Sequence, residues 1–285
     1  MPKVNGNGGG SPILTKRNTL NKRQMRPSIR ILQLQRYTLA APSPLVRARG
    51  STAFTSALDS EFAIYPDFFS PAESRALLGL ALWKLDRADS KRRRRRRGPE
   101  EKKEEGRGNG APLQDMFVGP YGFEEGHFDS VIHNYRESLV TTLPPSADAD
   151  LVRVLSRLYA LVPGITLPQS PSPSDLPPEG SSTHALHLSP EGAILAHVDN
   201  LEASGQTIVG ASLGATRILR LDKGGEGWDV LLPSGSVYIQ KGAVRYEYTH
   251  AVLGFGESRW EGVPLPRGHR VSFMVRDAPT RPAQL

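Results

Sequence analysis

The sequence places an imidazole and a carboxylate two residues apart at the end of an apolar run. His197 and Asp199 close the stretch 193–199, and side chains two apart in an extended strand point to the same side of a sheet. His250 ends a later predicted strand, residues 245–250. Two imidazoles and one carboxylate suit a non-haem Fe(II) centre with open positions for substrates. Catalytic zinc uses a similar ligand set, so zinc hydrolysis is the alternative.

The last predicted strand, residues 269–276, favours iron because it supplies a cationic face. Arg270 and Arg276 share that face, and a guanidinium directed into a β-barrel is costly unless an anion neutralises it. A dicarboxylate co-substrate could pair with Arg270 through two parallel hydrogen bonds while its other end chelates the metal. Tyr238 is a candidate hydroxyl donor to the same anion. The pattern therefore favours an iron oxygenase over a zinc hydrolase.

A second His-x-Asp pair, at His127 and Asp129, has the same spacing in a different context. It lies beside glycine and glutamate and has no apolar strand before it. Spacing of this kind arises by chance, and it gains meaning only from the strand that carries it. We expect no metal-binding role for this pair.

The elements that must position the site are short strands separated by glycine or proline. Eight such strands with tight turns indicate a mostly β fold, an antiparallel double-stranded β-helix or jelly roll. They cover residues 183–188, 193–199, 207–213, 217–221, 228–232, 236–240, 245–250 and 269–276. Two amphipathic helices precede them, one from Ser70 through Leu85 and one over about 148–162. We expect these helices to flank the sheets and to buttress the larger one, which gives an α+β class.

Composition divides the 285-residue chain into a basic tail, residues 1–58, and a domain, residues 59–285. The tail holds ten lysines and arginines and no acid, which is typical of a mitochondrial transit peptide and indicates the matrix. A plain disordered basic tail is the alternative. The domain keeps 26 of the 36 basic residues against all 29 acids, so its net charge is about −3. Cysteine is absent, which excludes disulfides and thiolate metal sites.

Two low-complexity insertions interrupt the domain, at residues 88–113 and 167–181. The first contains the run Arg92–Arg97, for which a solvated loop and a contact with RNA are the alternatives. A slightly acidic domain lacks the broad basic surface of a nucleic-acid-binding protein. No apolar run approaches the roughly 20 residues of a membrane-spanning helix, and we expect a monomer without a transmembrane segment.

Taken together, these residues resemble the AlkB family of Fe(II)/2-oxoglutarate-dependent dioxygenases, and most of all its mitochondrial AlkB homologue seven branch. The segments that carry the resemblance are 127–137, 193–199, 205–213, 232–239, 245–250, 266–270 and 270–276. The resemblance implies that Fe(II) is bound by His197, Asp199 and His250. It implies that 2-oxoglutarate, consumed with O₂, is contacted by Arg270, Arg276 and Tyr238.

One part of the family pattern is missing. Members that repair nucleic acid carry an asparagine and a tyrosine on the strand before His-x-Asp, where this chain has Leu186 and Leu188. The resemblance therefore predicts a dioxygenase that hydroxylates a protein or metabolite, or that demethylates methylated RNA. The alternative it suggests is a non-catalytic, 2-oxoglutarate-sensing regulator of mitochondrial fatty-acid metabolism or necrotic death.

Overall fold

The computed structural model describes residues 34–39, 43–50, 56–94, 111–127, 129–202 and 204–279. Residues 1–33 of the predicted transit peptide and residues 95–97 of the arginine run lie outside these ranges. No helix in the described part of the chain is long and apolar enough to cross a membrane.

The described residues form thirteen strands and four α-helices. The helices are α1 (Ser56–Asp59), α2 (Pro71–Arg94), α3 (Ala149–Tyr159) and α4 (Gly242–Tyr246). The strands are β1 (Val46–Arg49), β2 (Phe62–Tyr65), β3 (Glu124–Gly126), β4 (Ile132–Leu139), β5 (Ser181–His197), β6 (Thr207–Gly214), β7 (Arg217–Lys223), β8 (Glu226–Leu232), β9 (Ser236–Lys241), β10 (Thr249–Val252), β11 (Arg259–Trp260), β12 (Val263–Pro264) and β13 (Arg270–Asp277).

Strand β5 organises the fold because its two halves belong to two curled layers of one antiparallel sheet. The first half, residues 181–188, pairs with β13, and the order continues through β6 and β9 to β2. The second half pairs with β10, and the order continues through β7 and β8 to β1. Two layers that share strands in this way form a double-stranded β-helix. The predicted mostly β jelly roll is confirmed.

The helices α2 and α3 cover the outer face of the first layer, as predicted. Asp148 caps α3 by accepting a hydrogen bond from the Leu151 amide at 2.8 Å, which satisfies one of the free amides at the helix start. The buried face of α3 packs into one apolar cluster with α2 and with β-strand residues such as Ala211 and Phe273. A second apolar cluster fills the space between the layers and includes Leu221 and Trp228. Two members of this second core, Leu186 and Tyr238, also line the cavity described below.

The predicted strand 245–250 is wrong. Residues 242–246 form α4 instead, and β10 begins only at Thr249. Gly242 adopts a φ of +56°, a left-handed conformation that suits glycine and turns the chain out of β9. The Glu61 carboxylate then accepts a hydrogen bond from the Val244 amide at 3.2 Å. These tertiary contacts override the alternating aromatic pattern.

Three other boundaries differ from the sequence prediction. The strands predicted at 183–188 and 193–199 are the single strand β5, because β4 pairs with both halves. Helix α2 continues to Arg94 and so enters the predicted insertion 88–113. Strand β1 pairs with β8, so the sheet includes residues that precede position 59.

Candidate metal centre

The two histidines of the predicted triad face each other across neighbouring strands. His197 is the last residue of β5 and His250 is the second residue of β10. The antiparallel register pairs them directly, and their ring centroids are 4.3 Å apart. Directly opposed residues of an antiparallel pair have neighbouring side chains. The strand pairing therefore brings together two imidazoles that are distant in sequence.

Asp199 completes the triad from the loop after β5. Its Oδ1 lies 3.2 Å from Nε2 of His197 and 3.6 Å from Nε2 of His250. One potential ligand atom from each of the three residues lies within 4.8 Å of the others. His197 donates its other ring nitrogen, Nδ1, to the Leu195 carbonyl at 2.9 Å, which leaves Nε2 for a metal. The geometry suits a facial site for one divalent cation.

The electrostatics of the triad differ among its three members. Burial alone would raise the pKa of Asp199, but its hydrogen bonds with His197 and His250 and the charge of Arg276 hold it well below its usual range. Burial lowers the pKa of His250 despite the nearby carboxylate. For His197 burial acts in the same direction, but the bonds to Asp199 and Leu195 outweigh it and raise the pKa. The site thus offers one carboxylate anion and one imidazole that burial keeps neutral.

Arg276 lies against the triad. Its Nε and Nη2 atoms are each 2.7 Å from Oδ2 of Asp199, so Oδ1 is the oxygen turned toward the imidazoles. The resemblance implied that Arg276 contacts the co-substrate, which stays a prediction; in the structure its guanidinium pairs with the carboxylate of Asp199. Arg276 therefore orients Asp199.

Arg270 is a buried cation with no compensating anion in the described structure. Its side chain is 1% exposed, and Nε donates to the Ser212 hydroxyl at 3.0 Å. Both Nη atoms are buried without a hydrogen-bond partner among the described residues. Burial lowers the pKa of Arg270 to about 10, which leaves the group cationic at neutral pH. Such a group is costly unless an anion binds to it.

Tyr238 lies beside this cation. Its hydroxyl donates to the Met274 sulfur at 3.4 Å, and burial raises the pKa of the phenol. The Tyr238 ring lies against Gly210 of β6, the residue directly opposite it in the strand pairing. A Cβ atom at position 210 would lie 2.3 Å from Cζ of Tyr238. The absence of a side chain at Gly210 thus allows the phenol to point into the barrel.

A single cavity of about 660 Å³ joins these groups. It is lined by all six residues predicted for the site: His197, Asp199, His250, Arg270, Arg276 and Tyr238. His127 and Asp129 also line it, with His127 Nδ1 2.8 Å from Asp129 Oδ1. Within the described residues, the one group of three metal-ligating side chains is the triad.

Sequence reasoning missed several residues of the cavity. His184 and Ser272 line it, and Met274 is the register partner of His184. The alternation of β13 had already placed Ser272 and Met274 on the face of Arg270, although without a role in the site, and the same alternation applied to β5 could have added His184. Of the two leucines that replace the family's polar pair, Leu186 lines the cavity and Leu188 lies in the core between the layers.

The profile of the 2OG-Fe(II) oxygenase superfamily matches residues 61–276. The chain belongs to this superfamily. The predicted Fe(II) and 2-oxoglutarate are the metal and the co-substrate of these oxygenases, and both fit the residues present. The triad has the ligand set for the metal, and the two unpartnered Nη atoms of Arg270 offer an anion site in the same cavity.

Two relatives of this 2OG-Fe(II) oxygenase are named mitochondrial alpha-ketoglutarate-dependent dioxygenase alkB homolog 7. The protein from Bos taurus is 35% identical and that from Mus musculus is 36% identical, each over 160 residues. Each match covers 55% of this chain and 66% of the relative, just under two thirds of its length. The resemblance predicted from the motifs is confirmed. Among solved structures, a prolyl-4-hydroxylase from Pseudomonas putida is 12% identical over 77% of this chain and 92% of its own, with a TM-score of 0.40.

Proposed function

We propose that this protein is an Fe(II)- and 2-oxoglutarate-dependent dioxygenase in which His197, Asp199 and His250 hold the iron. The observation that carries the proposal is the uncompensated guanidinium of Arg270 in the same cavity as the triad. A hydrolytic metal site needs no buried anion-binding group of this kind. A site that must hold a dicarboxylate beside its metal does need one.

The chain's own residues bind and orient the reactants. Arg270 pairs with the far carboxylate of 2-oxoglutarate, and Tyr238 donates its hydroxyl to the same anion. Arg276 holds Asp199 through Oδ2, so the carboxylate meets the metal through Oδ1. When bound, the iron supplies the activation of O₂ that couples decarboxylation of 2-oxoglutarate to oxidation of a C–H bond.

The substrate class that we propose is a protein or a metabolite that becomes hydroxylated, with N-methylated RNA as the competing class. The net charge of about −3 over residues 59–285 supports the first class, because a nucleic-acid surface is usually basic. The run Arg92–Arg97 supports the second class. RNA binding that falls steeply with salt and disappears on deletion of this run would favour RNA. Absence of binding at low salt would count against it.

We further infer that the protein acts in mitochondria, and in the matrix, with a transit peptide inside the basic tail, residues 1–58. Strand β1 of that tail stays with the catalytic domain, residues 59–285, because it pairs with β8. Both relatives are named as mitochondrial proteins, and the acid-free basic tail supports import of this chain. A fusion of residues 1–58 to a fluorescent protein tests the inference. Mitochondrial fluorescence is expected, and a cytosolic signal would contradict it. A role in mitochondrial fatty-acid metabolism or necrotic death belongs to the alternative proposal, a non-catalytic 2-oxoglutarate-sensing regulator.

The catalytic proposal is tested by succinate formation from 2-oxoglutarate by the purified protein with Fe(II) and O₂. We expect the wild type to release succinate and His197→Ala to release none. His127→Ala is the matched control, since it removes another imidazole that lines the cavity and that is not one of the proposed metal ligands. Equal turnover in His197→Ala would contradict the assignment. Binding of 2-oxoglutarate without succinate release in the wild type would indicate the non-catalytic regulator instead.

A further inference from the structure

Strand β13 anchors the far end of the loop that carries Asp199, where the Gly205 amide donates to the Asp277 carbonyl at 2.8 Å. The segment that holds Asp199 precedes this anchor by several residues. Strand β5 ends at His197 and β6 begins at Thr207. The metal-ligand carboxylate therefore lies outside the ladder of backbone hydrogen bonds. Arg276 orients the carboxylate itself, but it does not hold the backbone of this loop. A ligand whose backbone can move binds a metal less tightly, because its ordering must accompany binding.

Arg245 of α4 holds this backbone. Its Nη1 donates to the Asp199 carbonyl at 3.2 Å. Its Nη2 donates to the Ser204 hydroxyl at 2.7 Å and approaches the Asn200 carbonyl at 3.5 Å. The Ser204 hydroxyl in turn donates to the Asn200 carbonyl at 3.0 Å. One guanidinium thus spans the loop from the metal ligand to its far end.

The energetic setting of Arg245 does not by itself account for its presence, and the place where its bonds end is what points to the site. The residue is 1% exposed, and burial lowers its pKa. The hydrogen bonds that the structure gives it end on carbonyl and hydroxyl oxygens. A buried cation held by neutral acceptors stabilises a fold poorly compared with an apolar side chain of similar volume. A buried arginine at this position is explained if the proposed metal site depends on the position of the Asp199 loop.

The position of Arg245 in the chain links two metal ligands. Helix α4 leads within a few residues into β10, which carries His250, while the guanidinium of Arg245 reaches back to the loop that carries Asp199. We propose that Arg245 is a positioning residue for the iron site, which fixes the Asp199 loop relative to the segment that supplies His250. The inference rests on the proposed function of the triad.

A matched control exists in β7. Arg217 is also 1% exposed, and its Nη2 donates to the carbonyls of Ser189, Pro190 and Gly268 at 3.0–3.1 Å. It makes the same kind of bonds as Arg245 but touches no residue of the triad or of the loop after it. Its replacement therefore reports the general loss from removing a buried guanidinium.

The test is anaerobic titration of the purified protein with Co(II), followed by its ligand-field absorption, for wild type, Arg245→Ala and Arg217→Ala. We expect Arg245→Ala to weaken Co(II) binding about 10- to 100-fold and to alter the band shape. Arg217→Ala should bind within about twofold of wild type, although both variants lower the thermal midpoint. Wild-type affinity in Arg245→Ala, or an equal loss in Arg217→Ala, would overturn the inference.

Two further variants keep the outcome decisive. Ser204→Ala removes one hydrogen bond of Arg245 without removing the cation, so we expect a smaller loss of Co(II) affinity. This variant replaces Arg245→Ala in the test if Arg245→Ala does not fold. Unchanged Co(II) affinity in Ser204→Ala would then count against the inference. His197→Ala should abolish triad binding. If His197→Ala binds Co(II) like the wild type, the proposed metal site itself fails, which is distinct from failure of the Arg245 inference.

Discussion

The close approach of Tyr238 to Gly210 gives a sharp prediction about 2-oxoglutarate binding. A Cβ atom at position 210 would lie 2.3 Å from Cζ and 2.5 Å from the hydroxyl oxygen of Tyr238, where ordinary contacts begin at 3.4 Å. Gly210→Ala must therefore displace the ring by about 1 Å. The ring has little room to move, because it is 2% exposed and stacks on Phe62 at a centroid distance of 6.4 Å.

Two effects of Gly210→Ala have different magnitudes and different readouts. Overpacking of a dense core lowers the free energy of unfolding by about 1–3 kcal/mol. Displacement of the hydroxyl removes its hydrogen bond to the co-substrate anion, and hydrogen bonds to charged groups contribute about 1.5–3 kcal/mol. We therefore expect 2-oxoglutarate to bind roughly 10- to 100-fold more weakly.

The assay is a double-mutant cycle of Gly210→Ala and Tyr238→Ala, with 2-oxoglutarate affinity and urea unfolding measured for each protein. Removal of the ring removes the clash, so Gly210→Ala should have little effect in the Tyr238→Ala background. The expected coupling energy between the two substitutions is about 1–3 kcal/mol in each measurement, the free energy of 2-oxoglutarate binding and the free energy of unfolding. Gly256→Ala is the control, because a Cβ there meets nothing within 4 Å. Additive effects of the two substitutions would refute the reasoning.

Two further predictions concern other buried groups. Arg270→Met removes a cation with no compensating anion, so the free protein should keep its stability or gain about 1–4 kcal/mol; thermal scans should show that 2-oxoglutarate no longer raises the midpoint, and a retained shift would contradict the anion site. Burial, then the charges of Arg136 and His269, lower the pKa of His187 to about 2. The unfolded chain therefore binds more protons than the folded protein below pH 6.5, and stability falls as the pH falls from about 6.5 toward 2. Urea unfolding between pH 7 and 5 gives the slope of the free energy of unfolding against pH. This slope should be smaller in His187→Gln than in the wild type by up to about 1.4 kcal/mol per pH unit. Equal slopes would be evidence against a neutral His187.

The sequence was sufficient to predict the triad and the fold that carries it. The two-residue period of a strand predicted that His197 and Asp199 point to the same side. In the structure β5 ends at His197, and Asp199 reaches the site from the following loop, where Arg276 holds its carboxylate. His250 was found because a jelly roll brings its seventh strand beside its second. Arg270 was found because a cation on the inner face of a barrel requires an anion.

Contacts between distant segments could not be read from periodicity. The strand predicted at 245–250 rested on local alternation, whereas α4 forms there and its Val244 amide bonds to Glu61, far away in the chain. The hydrogen bonds of Arg245 to the Asp199 loop depend on α4. Because α4 was not predicted, these bonds were not predicted either. The role of Gly210 depends on its register partner in β9, which spacing along one strand does not reveal.

The central claim is that one cavity holds Fe(II) on the triad and 2-oxoglutarate on Arg270. Its most direct test is anaerobic addition of Fe(II) and 2-oxoglutarate, followed by the charge-transfer absorption of the chelate. The wild type should develop the band with one equivalent of each, whereas His250→Ala and Arg270→Met should not at the same concentrations. A band of equal strength in both variants, or none in the wild type, would contradict the account.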